Sequence, residues 1–180
     1  MIEEVRDIAN VYGWDYHIYE TEFPASSLGK EVYNDMLYGI HFSPPGCEPV
    51  WLCFLSNGKM SSPVAVQLWG KSNDENEKKL LYGNFTKTQY AGMEIHKTVI
   101  RLLRYISNKY LEAFSLVDEG KYWETDDEKV LEEMFRRYND ALDFVGNALE
   151  TIPLDPGETL EGYFGRIMKR GGKKGKGKEN

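Results

Sequence analysis

The stretch Pro49-Val-Trp-Leu-Cys-Phe-Leu-Ser-Asn-Gly-Lys59 decides the fold, because it contains a buried strand followed by a turn. Residues 49–55 are apolar at successive positions, which is typical of a central strand covered on both faces. Asn57-Gly58 favours a type I′ turn, since both residue types accept the positive φ angles that this turn requires. The chain should therefore reverse direction, and we predict an antiparallel returning strand over residues 60–69.

Neighbouring segments extend this hairpin into an antiparallel meander. Alternating or apolar runs predict strands over residues 15–20 and 37–43, and a further strand run over residues 80–90. Weaker patterns predict a short helix over residues 27–36 and a short strand over residues 113–118.

Helices account for the rest of the chain. Apolar residues at helical spacing predict two long helices, over residues 92–112 and 126–151, and short terminal helices over residues 2–12 and 158–169. Thr125-Asp-Asp-Glu128 matches a capping box at the start of the second long helix. The predicted class is α+β, with the meander packed against the two long helices.

Length and charge suggest one acidic domain with a basic tail. At 180 residues we expect a single α+β domain over residues 1–169 and a disordered Gly/Lys-rich tail over residues 170–180. Residues 169–180 hold six basic side chains and one acid, so a net charge of −7 leaves about −12 on the remainder. Such a body repels nucleic acid, which only the tail could attract.

The sequence lacks the motifs of common cofactor and metal sites. Phosphate-binding and dinucleotide-binding glycine loops are absent, and Cys47, Cys53 and His41 do not match a structural zinc spacing. We therefore predict no cofactor, no metal and no identifiable catalytic residue, with the two cysteines buried as structural residues. His17, His41 and His96 are scattered, and each is read as hydrogen-bonded packing, with a general-base role left open. With neither a signal peptide nor a membrane span in the sequence, we expect a cytoplasmic protein.

The helix over residues 126–151 has a heptad seam. Its apolar residues alternate spacings of four and three, as in a coiled coil, which makes packing within the fold or self-association possible. The seam consists of Leu131, Phe135, Tyr138, Leu142, Val145, Leu149 and Ile152.

A basic ridge lies on the other long helix. Lys97, Arg101 and Arg104 recur at i, i+4 and i+7, opposite the apolar stripe. In an acidic body these cations are either ordinary solvated surface or a docking face for an acidic partner, and we list them as candidate partner-binding residues.

Two segments resemble a known family. Lys87-Thr-Gln-Tyr-Ala-Gly92, and the run from Glu119-Gly-Lys-Tyr-Trp-Glu-Thr125 to Tyr138, are similar to a family of uncharacterised bacterial proteins of about this length. The resemblance covers most of the chain except the tail. It implies a bacterial, cytoplasmic, single-domain protein and no particular activity.

These observations favour a non-catalytic, cytoplasmic protein-binding module of an adaptor, chaperone-like or immunity-like kind. Its partner is expected to be another protein, with a homodimer through helix 126–151 as an additional possibility. One alternative is an enzyme of unrecognised type with a cleft between sheet and helices. A second is a nucleic-acid accessory protein that acts through its basic tail.

Overall fold

The computed structural model describes the backbone of residues 1–174 and the side chains of residues 1–169, and it confirms the α+β class. It forms two compact units, which we call the N-terminal unit (residues 1–116) and the C-terminal unit (from Val117). The single-domain interpretation stays a prediction. Within the described residues the elements are α1 (Ile2–Tyr12), β1 (Asp15–Glu20), β2 (Tyr38–Ser43), β3 (Val50–Phe54), β4 (Met60–Ser61), α2 (Pro63–Trp69), α3 (Glu75–Leu80), α4 (Met93–Tyr110), α5 (Tyr122–Thr125), α6 (Glu128–Thr151) and α7 (Leu160–Lys174).

The sheet is the antiparallel meander that the sequence predicts, with strand order β1-β2-β3-β4. Ile18 lies opposite Ile40 in β2, and Ile40 lies opposite Leu52 in β3. The alternate positions of each strand point to opposite faces. One face is the main core, where Ile40, Phe42, Val50 and Leu52 are all buried.

Helix α1 contacts β1 and β2 of this sheet. Val5 and Ala9 form its buried stripe, and the helix ends at Gly13, whose φ of 68° is the left-handed conformation of a C-cap. Trp14, just after the turn, stacks on Phe42 with ring centroids 5.5 Å apart. The N-terminal helix therefore covers one face of the sheet.

The predicted returning strand over residues 60–69 is wrong beyond its first two residues. Strand β4 ends at Ser61, and residues 63–69 form helix α2. The Ser62 hydroxyl accepts a hydrogen bond from the Ala65 amide at 3.2 Å, and Pro63 occupies the first helical turn. A serine N-cap followed by proline is a helix-start signal that outweighs the alternation of valines after it.

The strand predicted over residues 80–90 is also wrong. Helix α3 begins after Asp74, whose carboxylate accepts a hydrogen bond from the Asn76 amide at 2.7 Å. The polar segment before residue 81 is thus a capped helix with acidic residues in its first turn. Residues 81–92 then follow an irregular path.

Three smaller predictions need correction. Residues 27–36 are irregular after one 3₁₀ turn over Ala25–Ser27, and residues 113–118 form no strand. Helix α6 is capped by Asp127, which accepts from the Lys129 amide at 2.8 Å, because Thr125 belongs to the preceding helix α5. Helix α7 extends to Lys174, five residues into the predicted disordered tail, and residues 175–180 lie outside the described residues.

Helices α1 and α4 are joined by a polar network. The Glu4 carboxylate accepts hydrogen bonds from the hydroxyls of Tyr105 and Tyr110 and, at 3.0 Å, from the Lys109 ammonium. These three donors, Tyr105 foremost, lower the pKa of Glu4 from 4.5 to about 2.

We predict that the hydrogen bonds of Glu4 make the stability of the fold depend on pH in the acidic range. A folded-state pKa below the unfolded value gives a contribution that is complete above about pH 4.5 and is lost as the pH falls toward 2. Melting temperatures between pH 6 and pH 2 should therefore fall further in the wild type than in Glu4→Gln. Glu3→Gln, on the same helical turn but exposed, should behave like the wild type. Parallel curves for the wild type and Glu4→Gln would contradict the assignment.

Candidate functional site

The second face of the sheet presents a row of imidazole and aromatic rings. His17 in β1 lies opposite His41 in β2, which lies opposite Trp51 in β3. The ring centroids of His41 and Trp51 are 4.5 Å apart, and those of His17 and His41 are 5.9 Å apart. Tyr19 completes the group, since its hydroxyl shares a hydrogen bond of 3.3 Å with His41 Nδ1. We call these four residues the ring cluster.

Tyr19, His41 and Trp51 of the ring cluster are half-buried, whereas His17 is exposed, and burial sets the protonation of His41 and Tyr19. Burial lowers the pKa of His41, and the neighbouring His17 lowers it further, so the His41 imidazole is neutral at pH 7. Burial also raises the pKa of Tyr19, which keeps the phenol protonated. On the same face, burial raises the pKa of the Cys53 thiol to about 12, which leaves no reactive thiolate at neutral pH. Tyr19, His41 and Trp51 therefore offer flat, uncharged rings and hydrogen-bonding atoms.

An open groove of about 340 Å³ begins at Tyr19 and continues away from the two histidines. Its walls come from the end of β1, from the segment before β2 and from helix α2. Most of the lining is apolar, while Asp35, Thr21 and Gln67 supply polar groups. The lining residues are Tyr19, Thr21, Asp35, Met36, Leu37, Pro63, Val66 and Gln67.

The two edges of the sheet differ in how they are covered. β4 covers only the end of β3, and residues 84–87 lie along the rest of that edge. There the Asn84 amide donates a hydrogen bond to the Trp51 carbonyl, and the Thr86 hydroxyl donates one to the Pro49 carbonyl. At the other edge, within residues 1–174, β1 pairs only with β2. An edge without a second strand is where another chain can add as a strand.

The sequence around β1 is acidic, although Arg6 of α1 interacts with Tyr16 of this strand. Between Arg6 and Lys30 the sequence contains no lysine or arginine, whereas Asp15, Glu20 and Glu22 lie in or next to β1. All three carboxylates are solvent-exposed or partly so, and Asp35 on the groove wall is exposed as well. The edge and the groove therefore present negative charge beside apolar surface.

The predicted basic ridge is only partly on the surface. Lys97 is buried, and its ammonium pairs with Glu94 at 2.8 Å, whereas Arg101 is exposed and Arg104 is half-buried. Burial removes Lys97 from any solvent-facing surface. The interpretation of the three cations as a docking face stays a prediction.

The other candidate residues are distributed through both units. His96 is buried and shares a hydrogen bond of 2.7 Å with the Thr88 hydroxyl, as expected of a packing histidine. Both cysteines are free thiols, with Cys53 buried and Cys47 half-buried. In the heptad seam, Leu131 is buried, Leu142 and Leu149 are exposed, and the other four residues are half-buried.

Most of the site was not identifiable from the sequence. Alternation places His17 and Tyr19 on one face of β1, but nothing local sets the register that brings His41 between His17 and Trp51. The groove depends on α2, which the sequence analysis assigned as a strand. The one available signal was Ser62-Pro63, which would have placed a helix beside the sheet.

The chain matches no protein-family model, no curated protein and no solved structure. The functional assignment therefore depends on geometry alone. In the part of the chain that the structure describes, no helix is long and apolar enough to cross a membrane, and no group of three His, Cys, Asp or Glu side chains could hold a metal ion.

Proposed function

We propose that the protein is a protein-binding module whose N-terminal unit binds an extended, basic segment of a partner polypeptide. The observation that supports this most directly is the open β1 edge, which lies beside a mostly apolar groove and carries the carboxylates of Asp15, Glu20 and Glu22 in or next to the strand. An extended peptide can add as a strand to such an edge, where its main chain forms hydrogen bonds and alternate side chains enter pockets.

The groove and the carboxylates around β1 each have a role in this binding mode. Tyr19 belongs to β1 and lines the groove together with Met36 and Val66, so the groove is the place for an apolar side chain of the added strand. Lysine or arginine side chains at neighbouring positions would meet the carboxylates around β1 and Asp35. These charges speed association and select for basic partners more than they raise affinity.

The test uses a fluorescent seven-residue peptide that alternates lysine with leucine or valine, and its counterpart with glutamate in place of lysine. We expect the full-length protein to bind the basic peptide and not the acidic one, as measured by fluorescence anisotropy. The variant Met36→Asp should weaken binding at least about tenfold, since it removes an apolar contact at the centre of the site.

The Met36→Asp variant also separates specific binding from general attraction. It makes the protein more acidic, so attraction to the overall negative charge predicts tighter binding of the basic peptide, whereas the groove predicts weaker binding. Asp35→Lys should weaken binding as well, while Asp140→Lys, an equal charge change on an exposed residue of α6, should have little effect. Equal effects of the two lysine variants would contradict the proposal.

The two other functional hypotheses have less support. An enzyme would use His41 or His96 as a general base, but neither histidine lines the groove. Burial also raises the pKa of Cys47 to about 11 and that of Cys53 to about 12, so neither thiol is a nucleophile at neutral pH. The nucleic-acid hypothesis depends on tail residues whose side chains lie outside the described part of the chain. Both hypotheses stay predictions.

A further inference from the structure

Helices α6 and α7 form a hairpin in the C-terminal unit. The contact uses Ala148 from α6 and Tyr163 and Ile167 from α7, all buried, with Phe144 and Ile152 packed around them. The Tyr163 hydroxyl donates a hydrogen bond of 2.6 Å to the Ile152 carbonyl, which fixes the start of α7 beside the end of α6. The two helices are therefore antiparallel, and α6 contacts α7 through residues spaced four apart.

The heptad seam of α6 is a different stripe. Leu142 and Leu149 lie about 100–120° around the helix from Ala148, so α7 does not cover them, and they are 43% and 47% exposed. Helix α7 has its own exposed stripe at spacings of four, in which Leu160, Phe164 and Met168 are 68%, 45% and 63% exposed.

The two exposed stripes lie on the same side of the hairpin. On each helix, the exposed stripe is displaced from the buried contact in the direction in which the helical angle increases along the sequence. Because the two helices are antiparallel, this displacement brings both stripes to the same side of the hairpin. They form one apolar face, which we call the hairpin face: Leu142, Leu149, Leu160, Phe164 and Met168.

We propose that the hairpin face binds the same face of a second copy of this chain, so that two hairpins form a four-helix interface. A seam with alternating spacings of four and three is the pattern that a partner helix requires, and the contact with α7 leaves its members Leu142 and Leu149 uncovered. A lipid surface does not require this spacing, whereas a second copy of the same seam provides it.

The exposed area is sufficient for a weak symmetric dimer. The five side chains of the hairpin face expose on the order of 500 Å², so a pair of copies would bury about 1,000 Å², near the lower limit for a specific interface. The half-buried Val145 and Tyr138 of the same seam would add to this area. A symmetric pair is closed, because each copy uses the same patch.

The experiment measures the mass of the full-length protein by sedimentation equilibrium, up to about 100 μM, which exceeds the micromolar Kd expected for such an area. The wild type should be a dimer at the highest concentration. The variant Leu142→Glu/Leu149→Glu should be a monomer. At a dilution at which the wild type is also a monomer, the two melting temperatures should agree within about 2 °C, because both side chains are exposed. Phe164→Glu, on the other helix, should weaken dimerisation at least about tenfold.

Leu68→Glu is the matched control, since Leu68 is 60% exposed in the N-terminal unit and should leave the dimer intact. A monomeric wild type at 100 μM would overturn the proposal, as would a dimer that persists in both hairpin-face variants. Cosedimentation with vesicles containing phosphatidylglycerol tests the other occupant. Vesicle binding by a monomeric wild type that the double variant loses would assign the hairpin face to lipid instead.

Discussion

Gly39→Ala is expected to unfold the sheet or to lower the melting temperature by at least about 6–12 °C, the equivalent of about 3 kcal/mol in a chain of this size. Gly39 lies in β2, opposite Tyr19 of β1 on one side and Cys53 of β3 on the other. A Cβ atom there would be 2.2 Å from the Leu52 carbonyl oxygen and 2.8 Å from the Cys53 Cα, and both neighbours are backbone atoms that cannot rotate away.

Two effects combine at this position. The φ angle of 140° is one that residues with a side chain rarely adopt, and this costs about 1–3 kcal/mol in itself. Relieving the contact requires β3 to move away from β2, which adds an overpacking cost of about 1–3 kcal/mol. The same movement would separate Trp51 from His41, whose ring centroids are 4.5 Å apart.

Two other glycines serve as controls that separate these effects. Gly58, in the turn before β4, has a φ of 78° but open space around it, so Gly58→Ala should cost only about 1–2 kcal/mol. Gly83 has open space and no positive φ, and Gly83→Ala should change stability by less than about 0.5 kcal/mol. Equal falls in the melting temperature of Gly39→Ala, Gly58→Ala and Gly83→Ala would show that the close approach of β3 to Gly39 does not affect stability.

Local signals predict the meander well because its turn is chemically specific. Asn57-Gly58 marks the reversal between β3 and β4, but the predicted type I′ turn is wrong, because Gly58 has a positive φ of 78° and Asn57 does not. The apolar runs on either side of Pro44-Pro45-Gly46 give β2 and β3. The prediction of a returning strand over residues 60–69 is wrong because β4 pairs with β3 through only two residues. Its apparent alternation is explained by the helix, in which Ala65 is buried while Val64 and Leu68, four residues apart, face solvent.

The groove could not have been predicted in the same way, because long-range contacts position its wall. The segment between β1 and β2 is held by Ser56, whose carbonyl accepts from the Gly29 amide at 2.9 Å and whose hydroxyl donates to the Lys30 carbonyl at 2.8 Å. Such contacts join residues more than 20 positions apart. A periodicity argument sees only neighbours along the chain, so it finds the strands but not the cavity beside them.

Asp118→Ala is expected to have the largest effect in the C-terminal unit, about 3 kcal/mol or a fall of about 6–12 °C in the melting temperature. Asp118 is buried, and its carboxylate accepts hydrogen bonds from the amides of Gly120 at 2.8 Å and Trp123 at 2.9 Å. Between these amides Lys121 has a φ of 62°, a left-handed conformation that a residue with a side chain holds only when its surroundings fix it.

Truncating Asp118 leaves both amides without their acceptor and releases the strained turn at the start of α5. Asp118→Asn keeps one acceptor oxygen, so it should lose part of this stability and rank between the wild type and the alanine variant. Asp127→Ala is the matched control, because Asp127 is exposed and caps α6 through one amide, a contact worth about 1 kcal/mol. Urea unfolding curves measure all four proteins. A loss in Asp118→Ala no greater than in Asp127→Ala would mean that burial adds nothing to this capping interaction, and that other contacts hold the turn at Lys121.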